Sequence, residues 1–247
     1  MRICGHGRAM RFSLPLLLLL GIAAPARAED RRVLVEDFDR ILVEGPYVVH
    51  LVTGRASAAI AHGSRDALDR MNLDVQEQTL RIRRTREAAG SGPRADPGVV
   101  TVDLATRSVR SVALIGPARL DANAVRGLSV AFSVEGSGTL HATRVDADAL
   151  SLILLGSGRI EAVGAARTLS VNVQGSGDLA APGLVANNAT IAATSSGTIG
   201  LTVNGPATVA NDGTGNIRVF GRAVCTISGS AADQVRCGGA SNQGQAR

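Results

Sequence analysis

The sequence predicts an all-β protein, a parallel β-helix with coils of about twenty residues. One observation is a recurring Gly-Ser-Gly tripeptide, and a second is that apolar residues alternate with polar ones on both sides of each copy. The third is a scarcity of aromatic residues, with four Phe, one Tyr and no Trp. A core built from Val, Leu, Ile and Ala suits narrow stacked layers better than a globule with large side chains.

The first 28 residues have the pattern of a secretory signal peptide that is removed. Arginines at Arg2, Arg8 and Arg11 precede an apolar run over residues 14–22, and Ala26-Arg27-Ala28 fits a cleavage site. The apolar run is about half of the roughly twenty residues that a membrane span needs. Translation could also start at Met10. We therefore expect an exported chain, periplasmic or at the cell surface, without membrane insertion after cleavage.

The charge balance of the mature chain gives no reason to expect a nucleic-acid partner. The full chain has 26 basic and 21 acidic residues. Four of the arginines lie within the first 28 residues, which leaves 22 basic residues against 21 acidic ones. A net charge near +1 produces no field that would attract a polyanion.

The N-terminal half of the mature chain fits the coil pattern less strictly. Residues 38–52 have inward apolar positions on both sides of Gly45, so they predict one coil. Residues 66–71 predict a short helical or irregular excursion, and strands are expected at 73–75, 80–82 and 100–104. Residues 87–98 predict a surface loop, in which Gly90-Ser91-Gly92 is out of phase with the repeat.

The C-terminal half contains the regular repeat. Gly-Ser-Gly starts at Gly136, Gly156 and Gly175, and variants start at Ser195 and Gly213, so the steps are 20, 19, 20 and 18 residues. A fixed period of this length is typical of stacked supersecondary units. Apolar residues recur six, four and two positions before the start of each tripeptide and four and six after it, which predicts two strands with alternate side chains inward. The phase changes across the tripeptide, so the chain is expected to turn there, and we call each tripeptide a corner. A third inward site is predicted at Val125, Val145, Ala165 and Leu184.

The two cysteines of the mature chain, Cys225 and Cys237, lie at the end of the repeat. Because export carries them to an oxidising compartment, a disulfide is favoured over a metal or redox pair. Residues 29–238 are thus expected to form the β-helix domain, and residues 239–247 a disordered tail.

The chain resembles the putative auto-transporter adhesin head GIN domain family. The resemblance is carried by Phe38-Asp39-Arg40-Ile41-Leu42-Val43-Glu44-Gly45, by the serial Gly-Ser-Gly coils and by Thr226-Ile227-Ser228-Gly229-Ser230. It covers roughly residues 33–238. It implies a right-handed β-helix and an adhesin-like role, with no family catalytic residues to carry over.

Candidate chemistry is sparse. Asp121, His141 and Glu161 each follow a corner by five positions, which predicts an outward row across three adjacent coils. Such a row could serve the acid–base chemistry of a polysaccharide-acting enzyme, a lyase or hydrolase. A solvated face stabilised by cross-strand pairs is the favoured interpretation. We expect no cofactor, no metal site and no catalytic residues, but a non-enzymatic binding or structural module whose protein or glycan partner belongs to the cell envelope.

Overall fold

The computed structural model describes residues 29–85 and 98–238. The predicted signal peptide, most of the predicted loop with Gly90-Ser91-Gly92, and the predicted tail therefore lie outside the described residues. The described chain is a β-solenoid of stacked parallel coils, as the repeat predicts. No helix in the described residues is long and apolar enough to cross a membrane.

The regular part of the solenoid is built from strands that pair in parallel with their equivalents one coil away. Three of these strands, those of 17 or 18 residues, are long and continue past the third inward site of the coil. The strands of this part are β8 (Ser111–Ile115), β9 (Arg119–Ala122), β10 (Val125–Gly136), β11 (Thr139–Gly156), β12 (Arg159–Gly175), β13 (Asp178–Ser195), β14 (Thr198–Val203), β15 (Pro206–Asn211), β16 (Asn216–Phe220), β17 (Val224–Ser228) and β18 (Val235–Cys237).

In the three Gly-Ser-Gly corners, the two glycines are needed for different reasons. The first adopts a positive φ, for example +105° at Gly136, a conformation that suits glycine. The last packs against the preceding coil, because a Cβ on Gly158 would lie 2.5 Å from the carbonyl oxygen of Gly138. The corner thus combines a backbone turn with a close approach of two coils.

The core consists of ladders of like residues along the solenoid axis. The predicted inward positions on both sides of the corners are buried, including Phe132, which is 1% exposed. Around Gly45, the predicted inward residues Ile41, Val43, Val49 and Leu51 are buried as well. The repeat therefore identifies the core of the regular half and of the coil around Gly45.

The prediction for Ala165 is wrong, because this residue is exposed. Ala142 pairs with Ala162, twenty residues later, whereas Val145 pairs with Gly164, nineteen residues later. This shorter coil moves the register by one residue before the third inward site, so Gly164 occupies that site and Ala166 is buried. Val125, Val145 and Leu184 are buried as predicted.

The order of the coils at the N-terminal end differs from their order in the chain. The coil formed by β2 (Arg40–Glu44) and β3 (Tyr47–Thr53) lies inside the stack, with β8 and β9 on one side. Its other side pairs with β6 (Thr79–Arg84) and β7 (Val100–Thr106), which come later in the sequence. The chain therefore leaves the stack after β3, adds a coil behind it, and returns at β8.

Antiparallel strands and a short helix complete this end. The elements are β1 (Glu29–Val33), β4 (Ala58–Gly63), α1 (Arg65–Asp69) and β5 (Met71–Gln76). β4 pairs with both β1 and β7, and β5 pairs with β6. The helix confirms the predicted excursion and begins after Ser64, whose side chain accepts a hydrogen bond from the Ala67 amide.

The last coil closes with a disulfide and a buried amide. Cys225 and Cys237 are bonded through their sulfur atoms, which joins β17 to β18. Asn211 is fully buried, and its Nδ2 donates to the carbonyl of Ala231 at 2.9 Å while its Oδ1 accepts from the Gly213 amide at 3.2 Å. A 3-10 turn at Ala232–Gln234 leads into β18.

Candidate functional site

The structure places Asp121, His141 and Glu161 side by side on β9, β11 and β12. The ladder continues with Ala180 on β13. The side chains of Asp121 and His141 face solvent with 24% and 35% exposure, and His141 Nδ1 lies 3.5 Å from Asp121 Oδ1. The structure therefore brings the three predicted residues into one outward row.

Arginines on the same strands form ion pairs with the carboxylates of this row. Arg119 donates to both oxygens of Asp121, at 2.9 and 3.0 Å, and this hydrogen-bonded pair raises the pKa of the Arg119 guanidinium above its usual value. Arg159 lies 3.7 Å from Glu161 and donates to Asp178 at 2.9 Å. Neither carboxylate is an isolated base.

The row extends further than the spacing of the corners indicates. His50 on β3 pairs with Asp121 on one side and with Asp103 of β7 on the other. His50 Nδ1 lies 3.9 Å from Asp121 Oδ2. Asp103, His50, Asp121, His141 and Glu161 thus alternate acid and imidazole across five strands, and we name them the histidine row. Sequence reasoning missed His50 and Asp103, because their strands join the stack through the N-terminal rearrangement.

A third histidine extends this polar surface to the N-terminal strand. His62 Nδ1 lies 2.7 Å from Asp30 Oδ1, and His62 Nε2 lies 3.1 Å from Asp103 Oδ2. The hydrogen bond to Asp30 is the main cause of a raised His62 pKa, and Asp103 contributes in the same direction. The side chain thus links β1, β4 and β7.

A second surface has the opposite character. It consists of the outward side chains of β8, of the last segments of β10, β11, β12 and β13, which precede the corners, and of β15 and β17. We call it the uncharged face. Its three rows are Ser111, Ala131, Ser151, Ser170, Thr190, Thr208 and Thr226; Ala113, Ser133, Ile153, Asn172, Ala192, Ala210 and Ser228; and Ile115, Glu135, Leu155, Gln174 and Thr194. Glu135 is the single charged residue in these rows.

A pocket of about 180 Å³ lies at the N-terminal end, and none of the residues that line it belongs to the histidine row. Asp37, Phe38, Asp39, Gln78 and Thr106 contribute to its lining. Both acids are engaged, since Asp37 pairs with Arg107 and Asp39 with Arg110. In residues 29–85 and 98–238, no group of three or more His, Cys, Asp or Glu side chains could hold a metal ion.

These features define a class of protein, a β-solenoid that presents broad polar sheets. The chain belongs to the family described as "Putative auto-transporter adhesin, head GIN domain", whose model matches residues 37–223. The family resemblance predicted from the opening segment and the corners is therefore confirmed. No curated protein matches the chain.

Solved structures share the fold at low sequence identity. A putative adhesin from Bacteroides fragilis is 16% identical, with a TM-score of 0.76, and the match covers 86% of this chain and 94% of that chain. A protein titled putative lipid binding protein, from Parabacteroides distasonis, is 18% identical, with a TM-score of 0.65 and coverage of 87% and 97%. A putative adhesin from the same species is 18% identical, with a TM-score of 0.66 and coverage of 87% and 96%. These similarities show the fold alone.

Proposed function

We propose that the chain is an exported, non-enzymatic, adhesin-like module of the bacterial cell envelope, which binds a protein or glycan through the outward side chains of its sheets. Membership of the adhesin-like family supports this proposal. Export is supported by the signal-like N-terminus and by the pair Cys225 and Cys237, since disulfides persist in oxidising compartments.

The observation that carries the proposal is the pairing of the carboxylates in the histidine row. A general base must lie within hydrogen-bond reach of the proton that it abstracts. Both oxygens of Asp121 accept from Arg119, and Glu161 lies beside Arg159. Substrate pockets are concave and enclose most of a ligand, whereas this row lies along the outer side of a continuous sheet. Such a surface suits recognition of an extended ligand better than bond cleavage.

Binding to the envelope is a direct test. Labelled protein comprising residues 29–247 is titrated onto envelopes isolated from the source bacterium, with unlabelled protein as competitor and heat-unfolded protein as control. We expect saturable binding that the folded competitor displaces and the unfolded control lacks. Binding that rises linearly, without competition, would contradict the proposal.

The alternative function is that of a polysaccharide-acting enzyme, which the 3.5 Å contact between His141 and Asp121 favours. The protein is incubated with a panel of anionic and neutral polysaccharides, and released sugars are measured. We expect no release. Release that His141→Ala abolishes, and that Ala180→Ser in the next coil preserves, would overturn the non-enzymatic proposal.

A further inference from the structure

We propose that the uncharged face is an interface with a second copy of this chain, so that the protein is a two-fold symmetric dimer. The proposal rests on the composition and extent of that face and is independent of the adhesin-like role. Its central residues are Ser151, Ser170 and Thr190, which pair in register on β11, β12 and β13.

The first argument is the distribution of charge. The rows of the uncharged face run through seven strands and hold one charged residue, Glu135, which adjoins the corner at Gly136. The face ends at β8, because the next strand of the sheet, β2, places Arg40 beside Ser111 and Glu44 beside Ile115. On the other side of the corners the same coils carry Arg119, Asp121 and Arg159 among other charged groups. Depletion of charged residues is one compositional sign of the central part of a protein interface.

The depletion affects both signs of charge, which favours a second copy over a different partner. In a two-fold interface the same patch lies on both subunits, so a charge near the axis faces its own copy. Like charges brought together in this way cost several kcal/mol. A different protein partner would permit charges that complement its own. A glycan would also permit them, because carboxylates and guanidinium groups are good hydrogen-bond partners for hydroxyls.

The second argument is the size of the face. Seven strands spaced about 4.8 Å apart extend roughly 30 Å along the axis, and six residues at about 3.3 Å each extend roughly 20 Å across it. A flat area of roughly 600 Å² per copy lies near the lower end of stable interfaces, which bury about 800 Å² per partner. Ile115, Ile153 and Leu155 add apolar side chains along the edge of this area next to the corners, where Glu135 lies between Ile115 and Leu155.

The test compares two Thr→Arg variants from the same coil. Thr190 lies on the uncharged face, whereas Thr198 lies on β14 beyond the corner, and both side chains are exposed. Sedimentation velocity and light scattering are measured on residues 29–247 from micromolar to several hundred micromolar protein. Far-ultraviolet circular dichroism verifies that each variant keeps its β-sheet content.

We expect the wild type and Thr198→Arg to be dimers with the same dissociation constant. Thr190→Arg should weaken the dimer by more than about tenfold, because each copy brings an unpaired guanidinium into the contact. The wild-type dissociation constant should change by less than about threefold between low and high salt, since the contact contains few charges.

Three results would overturn the proposal. The first is a monomeric wild type throughout the concentration range, and the second is a dimer that both variants weaken equally. The third is a dimer that Thr190→Arg leaves intact. A monomer that binds a neutral polysaccharide, and loses that binding in Thr190→Arg alone, would assign the face to a glycan instead.

Discussion

Gly158 shows how closely the backbones of adjacent coils approach at a corner. Its backbone is outside the left-handed region, and yet a Cβ there would lie 2.5 Å from the Gly138 carbonyl and 2.8 Å from a methyl group of Val134. The backbone oxygen cannot move without disturbing the strand pairing of the neighbouring coil. Space, and not φ, therefore requires glycine at this position.

Gly158→Ala is expected to lower the free energy of unfolding by about 1 to 3 kcal/mol, as overpacking does in well-packed cores. The matched control is Gly200→Ala, where the nearest atom to the new Cβ is 3.7 Å away on Phe220. Because glycine weakens a strand, this control should be neutral or stabilising by up to about 1 kcal/mol. Urea unfolding followed by circular dichroism gives both values, and equal effects would contradict the steric explanation.

His62 provides a second residue-scale prediction, on pH. Its pKa is raised mainly by the hydrogen bond to Asp30. A histidine with a higher pKa in the folded state stabilises fully below its unfolded pKa of about 6.5, and this stabilisation is lost as the pH rises through the folded value. Asp30→Asn should lower the His62 pKa in an NMR titration and reduce the extra stability at acidic pH.

The control for this titration is Asp37→Asn. Asp37 contacts Arg107 and Ser57 and is not among the causes of the His62 shift. The His62 titration should therefore be unchanged in this variant. A His62 pKa that is equally insensitive to Asp30→Asn would show that Asp30 does not hold the imidazolium.

The elements differ in how far the sequence could predict them. Corners and strands of the regular coils follow from local rules, since alternation sets the inward side and glycine sets the turns. The register at Gly164 could not be predicted from the period alone, because the missing residue of that coil could have been absorbed at any of its corners. The structure places the change between Ala162 and Gly164.

The candidate site was predictable only where its strands belong to the regular repeat. Asp121, His141 and Glu161 have the same phase relative to successive corners. His50 joins them by pairing with a residue 71 positions later, after the chain has formed the excursion and the coil behind β3. Such a long-range pairing depends on tertiary packing and has no local sequence signal.

The last coil, which the disulfide and Asn211 close, depends for its stability on a polar residue inside the core. Asn211→Ala leaves the Ala231 carbonyl and the Gly213 amide without their side-chain partners, so we expect a loss of about 1 to 3 kcal/mol. The exposed Asn216 gives the control, since Asn216→Ala should change stability by less than about 0.5 kcal/mol. Thermal unfolding with the disulfide intact measures both, and similar losses would rule out a capping role for Asn211.

At the scale of the whole molecule, the coils of the regular half contact mainly their neighbours, so stability is approximately a sum over coils and their interfaces. Deletion of residues 137–156 joins Gly136 to Ser157 and preserves the corner and the inward phase. We expect this shortened protein to fold with a β-sheet circular dichroism spectrum and cooperative unfolding at a lower midpoint.

Deletion of residues 137–146 is the matched control. It removes a corner and joins Gly136 to Ala147, which places the following strands out of phase with the neighbouring coils. This variant should lose the cooperative transition. Retention of cooperative folding by the control, or its loss in the in-phase deletion, would contradict the additive description of the stack.

The recurring corner also has a genetic consequence. The same tripeptide is encoded at nearly equal intervals, at Gly136, Gly156 and Gly175. Unequal recombination between the codons of two such corners would insert or remove a whole coil, and the crossover would fall where both parents have the same backbone turn. Descendants of this gene can lengthen or shorten the exposed surface by about 4.8 Å at a time while every ladder of the core stays in register.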